Sequence, residues 1–170
     1  MPLLRSLAVA ALLVTTSASA DDAAAPRSTH AGRDRRVYLT VASAVDQTRR
    51  GGPQLGEQLR AAMTDAIARS GSFTQRSTAG GFTVDASVTA LEHRVDGRFD
   101  NVTAEISLII ARLPQKSIVG LTKVTATAQW LHAYYKPEME RDLQQQAVEG
   151  AAQGAPPTLL AVVRGAPNRR

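Results

Sequence analysis

Between Phe82 and Trp130 apolar and polar residues alternate. The run Phe82-Thr83-Val84-Asp85-Ala86-Ser87-Val88-Thr89-Ala90 makes every second side chain apolar, and Val102-Thr103-Ala104-Glu105-Ile106-Ser107-Leu108 repeats the pattern. Strand side chains point alternately to opposite faces, so each run predicts a strand with one apolar face and one wet face. A third run, Ser117 to Trp130, alternates less cleanly and predicts a bulge at Gly120. Together they predict an antiparallel meander with strands over 82–94, 101–113 and 117–130. Asp96-Gly97 marks the first reversal, with a loop expected to exceed two residues. Pro114 ends the second strand, and Gln115-Lys116 turns the chain.

The apolar face of such a meander needs a cover. Leu55, Leu59, Ala62, Met63, Ala66 and Ile67 recur at helical spacing behind Pro53, predicting a helix over 53–70 that stops at Gly71. Val37–Ala42 reads as a buried first strand and Phe73–Arg76 as a short one. A second helix begins at Lys136-Pro137-Glu138, with Met139, Leu143, Ala147 and Ala151 at four-residue steps; Gly150, Gly154 and Pro156-Pro157 are expected to interrupt it. Thr158–Val163 suits a second helical piece or an edge strand. The fold class expected is α+β: a mostly antiparallel sheet of four or five strands with two helices packed on one face. Leu59, Met63 and Ile67 should then meet Val84, Val88, Ile106 and Leu108.

The first 20 residues read differently. A charged start (Arg5), the apolar run Leu7–Val14 and Ala18-Ser19-Ala20 predict a secretory signal peptide cleaved after Ala20. The run is shorter than the roughly 20 residues a spanning helix needs. The expected organisation is a signal peptide over 1–20, a disordered leader over 21–36, one domain over 37–164 and a loose tail over 165–170. With no cysteine, an exported chain has no disulfides and no thiolate for a lipid anchor or a metal. The address is periplasmic or secreted, with no transmembrane segment in the mature chain.

Of 170 residues, 20 are Lys or Arg and 15 Asp or Glu, a formal charge of +5 that falls to +4 without Arg5. Much of the excess is arginine in loops, which attracts anionic lipid head groups or polysaccharide. Arg49, Arg50, Gly51 and Gly52 precede a helix start, where free N–H groups can meet an anion. Aromatic residues make up 4%, too few for a base-stacking platform, and no nucleic-acid partner is expected. The Gly-x-Ser-x-Gly turn, a phosphate-binding loop and clustered metal ligands are absent from the sequence. No cofactor is therefore expected. Two histidines, His93 and His132, lie near ends of strands that can neighbour each other, and with a carboxylate either would suit a hydrolase. Asp85 and Glu105 sit on wet faces of successive strands, where they could stand as a carboxylate pair for acid–base chemistry.

Val37–Ala42, Leu55-Gly56-Glu57-Gln58-Leu59, the step from Ala66 through Gly71 to Phe73, and the strand Phe82–Leu91 together resemble a group of bacterial envelope domains. These are the amino-terminal domain of the Tol–Pal translocation protein, the penicillin-binding-protein activator lipoproteins and the curli secretion lipoprotein family. The resemblance implies a non-catalytic module that binds another envelope protein. The alternatives are an anion-binding protein using its basic loops and a hydrolase using His93 or His132.

Overall fold

The structure is a computed structural model that describes residues 36–74, 76 and 80–166. The expected signal peptide and nearly all of the expected leader lie outside the described residues. Strand β1 (Val37–Asp46) leads to helix α1 (Leu55–Arg69) and the two-residue strand β2 (Phe73–Thr74). The long strands β3 (Gly81–Asp96), β4 (Phe99–Leu113) and β5 (Ser117–Leu131) follow. Two 3₁₀ turns, His132–Tyr134 and Pro137–Met139, then deliver the chain to helix α2 (Glu140–Gly165).

The expected α+β architecture is present. The strands form one mixed sheet in the order β2-β1-β3-β4-β5. The meander β3-β4-β5 is antiparallel as expected, while β1 runs parallel to both its neighbours because α1 returns the chain to the end where β1 starts. The alternating runs bury the face that the pattern assigned: Val84, Val88, Ala104, Ile106, Leu108 and Ile110 are all fully buried.

Four details depart from the sequence reading. First, Asp96 pairs with Phe99, so the hairpin loop is the two residues Gly97-Arg98. Gly97 stands at φ 58°, which a two-residue hairpin turn demands and glycine supplies without strain. Second, α1 begins at Leu55; Pro53 lies in the turn before it. Third, α1 packs over β1 and β3, and it is α2 that covers β4 and β5, including Ile106 and Leu108. Fourth, α2 is one helix of 26 residues that runs through Pro156-Pro157, and residues 158–163 are helical.

That helix survives its prolines because of what lies beyond them. An interior proline removes a backbone bond and costs about 3 kcal/mol. Leu159 and Val163 are buried past the prolines, and each large apolar side chain contributes about 1.5–3 kcal/mol on burial. The contact face is made of small residues, Ala147, Gly150, Ala151, Ala152 and Ala155, so the helix lies close on the sheet. The approach is tightest at Gly120, where a Cβ would fall 2.3 Å from Val162 Cγ1. Beside it Val119 is the extra residue of a bulge between Ile118 and Gly120, as the sequence led one to expect at that glycine.

Candidate functional site

The expected histidine corner forms, around a carboxylate the sequence reading did not single out. A second bulge, at Thr89, adds one residue to β3 between Val88 and Ala90. One extra residue reverses the facing of everything after it, so Leu91 and His93 turn to the helix-covered side. There Asp100, in step with Val102 and Ala104 on β4, lies on the same side. His93 Nε2 is 2.9 Å from Asp100 Oδ1, and His132 Nδ1 is 2.7 Å from Oδ2. His132 is held there by its own N–H, which donates to the carbonyl of Arg98 at 2.7 Å. The Tyr135 ring lies against His93, with centroids 5.2 Å apart.

Asp100 is 1% exposed, whereas the side chains of His93 and His132 are 29% and 58% exposed. Burial pushes the Asp100 carboxyl up, but the hydrogen bonds and charges of His93 and His132 outweigh it and hold the group below its ordinary range. Tyr135 moves the other way: burial first, then the charges of Glu140 and Asp100, raise its hydroxyl. The cluster ties the segment after β5 to the β3–β4 hairpin. Among the described residues no hydroxyl bonds either imidazole; what the geometry holds is one carboxylate orienting two imidazoles.

The pH dependence has a definite sign. A carboxyl whose pKa is depressed on folding stabilises the fold above its unfolded pKa, and that stability is lost as pH falls toward the depressed value. Glu105 behaves likewise, held down first by a hydrogen bond from Lys123 and then by one from Thr89. The denaturation midpoint should therefore decline as pH drops through the carboxylate range, below about 5. Asp100→Asn should lower the midpoint at neutral pH and make the acid decline shallower. Parallel acid limbs in the two proteins would show that Asp100 takes no part.

The Arg49–Gly52 loop precedes α1 as expected. Its geometry is organised by Asp46, whose carboxylate accepts from the Thr48 N–H at 2.8 Å, the Thr48 hydroxyl at 2.6 Å and the Gly51 N–H at 3.2 Å. Arg49 adopts φ 59° and Gly52 φ 78°. Arg50 Nη1 donates to the carbonyl of Leu91 at 3.4 Å. A shallow depression bordered by Ala44, Asp46, Arg49, Gly52 and Glu57 adjoins the loop. One of the donors that an anion would use, the Gly51 N–H, is thus already met by a carboxylate of the chain.

Asp85 and Glu105 do not form a pair. Asp85 is opposite Ile109 and accepts from the Ser43 hydroxyl, whereas Glu105 is opposite Ala90 and bonds Lys123 at 2.9 Å. Their different partners separate them along the strands. Among the described residues no group of three or more His, Cys, Asp or Glu side chains is placed to hold a metal ion, and no helix is long and apolar enough to cross a membrane.

The other notable surface is β5 itself. It is the last strand of the sheet, 15 residues long, and Lys123 is its only charged residue. Edge strands commonly carry charges, prolines or short lengths that discourage further pairing. Here the bulge at Val119 and Lys123 are the two such devices. Ile118, Leu121 and Leu131 on the same strand are 71%, 65% and 45% exposed.

No protein-family model matches this sequence, and no curated protein is similar to it. Solved structures share its shape. A Xanthomonas campestris protein of the family DUF330 is similar with a TM-score of 0.61 at 13% identity, over 79% of this chain and 89% of that one. The hypothetical protein CT253 of Chlamydia trachomatis is similar with a TM-score of 0.51 at 9% identity, over 77% and 97%. A minor lipoprotein of Acinetobacter baumannii matches with a TM-score of 0.46 at 12% identity, over 73% and 92%. At such identities the likeness is one of fold, shared with bacterial α+β domains.

Proposed function

We propose that the chain is an exported, non-catalytic protein of the bacterial envelope that binds another envelope protein by adding a strand to β5. The observation that carries this reading is the 15-residue edge of β5, the last strand of the sheet among the described residues, with a single charge on it. An extended segment laid along such an edge gains main-chain hydrogen bonds, and alternate side chains set its specificity. The amino-terminal sequence supports the address, and the resemblance to envelope modules supports a binding role. The histidine–aspartate cluster serves as a strap, because His93 and His132 are both directed at one carboxylate.

A photo-crosslinking residue at Gln129, exposed on β5, tests this in the native envelope, with adducts identified by mass spectrometry. One dominant envelope protein should be captured. Its yield should fall at least about fivefold when Thr125 is replaced by lysine, a charge of the kind that blocks edge pairing. No reproducible adduct, or the same adduct from a probe at Thr64 on the outer side of α1, would sink the reading.

A further inference from the structure

The end of the domain where β1 starts and β4 turns into β5 combines apolar exposure with positive charge. On the sheet face away from the helices, Ile109 is opposite Leu121 and Ala111 is opposite Ile118. Across β3 on the same end, the Tyr38 side chain lies over Gly81, where a Cβ would fall 2.4 Å from its ring. Ile109, Leu121 and Ile118 are 37%, 65% and 71% exposed, a run of large aliphatic side chains left in water.

Cations border this band. Arg36 is exposed immediately before β1, and Lys116 is exposed in the β4–β5 turn. On the helix-covered side of the same end, Arg112 lies over the Phe82 ring at 5.6 Å and Arg164 is in the last turn of α2. Asp85, opposite Ile109 on β3, accepts from the Ser43 hydroxyl. The rest of the chain also joins the domain here. Residues 21–35, with Arg27, Arg33 and Arg35 among them, meet it at Arg36, and Arg169-Arg170 follow Ala166.

From this arrangement we infer that the β1-start end of the domain is a docking surface for an anionic lipid bilayer. A membrane interface accepts aliphatic side chains at its headgroup boundary while its phosphates meet cations, and a planar anionic surface satisfies both features at once. Ile118 and Leu121 enter the interface, and Lys116 and Arg36 stand over the phosphates. This surface is separate from the Arg49–Gly52 loop, which lies beyond the other end of β1. It also leaves the Thr125–Leu131 part of the β5 edge available to a protein partner.

The absence of cysteine permits a site-specific test on the full chain. Ile118→Cys and, as a control, Thr64→Cys would each carry an environment-sensitive nitrobenzoxadiazole label. Vesicles would be phosphatidylcholine alone or phosphatidylcholine with three tenths phosphatidylglycerol. On anionic vesicles the label at 118 should shift to the blue and brighten at least twofold, and the label at 64 should not change. The double variant Lys116→Gly with Arg36→Gln should weaken this response by about fivefold or more, since each cation near an anionic surface contributes to partition on that scale. Glycine suits position 116, where φ is 53°. A dark label at 118 on vesicles that nonetheless retain the protein would overturn the inference. So would equal responses at 118 and 64, or equal responses on neutral and anionic vesicles.

Discussion

Ile106→Asp is expected to abolish the cooperative unfolding transition. Ile106 is 0% exposed at the centre of β4, under α2, and its register partners Val88 and Val124 are buried too. An aspartate there has no cation or donor within the apolar core. Burying it unpaired, or neutralising it by protonation, costs several kcal/mol on top of the lost aliphatic burial. A domain of this size has a total stability of about 5–15 kcal/mol, so one such change is of the order of the whole. Thermal circular dichroism and calorimetry are the measurements. An undiminished, cooperative melt would mean that the core face has been assigned to the wrong side of the sheet.

Leu159→Ala tests the part of the fold that the local sequence argues against. Leu159 is 0% exposed, two residues beyond Pro157, and it belongs to the core only if α2 continues through the prolines. Truncating a buried leucine removes its transfer free energy and leaves a cavity, together about 2–5 kcal/mol. Denaturant midpoints should show a loss in that range with an unchanged slope. A loss below about 0.5 kcal/mol, the size usual for surface positions, would mean that the helix ends before the prolines.

The candidate site was half legible. Two histidines near strand ends are visible in the sequence, and a carboxylate partner is what would give either a role. The partner could have been found as well. Asp100 shares the parity of Val102, Ala104 and Ile106, and a carboxylate in step with an apolar face is the pattern of a buried, partnered acid. What hid the contact is the bulge at Thr89. Counted from Val84 without it, His93 falls on the wet face, away from Asp100; with it, the two meet.

By itself the sequence determined the element order, the apolar face of each strand and the α+β class, because those follow from periodicity, which is local and survives any arrangement of the pieces. It also contained a stripe at four-residue steps, Leu143, Ala147, Ala151, Ala155, Leu159 and Val163, unbroken across the prolines. Whether that stripe would prevail over the local cost of Pro156-Pro157 was settled only when α2 had a sheet to bury it against. The parallel pairing of β1, the division of the sheet between α1 and α2, and the convergence of His93 and His132 on Asp100 were likewise decided by tertiary structure. Each depends on contacts between residues far apart in the chain, whose energies no short window of sequence contains.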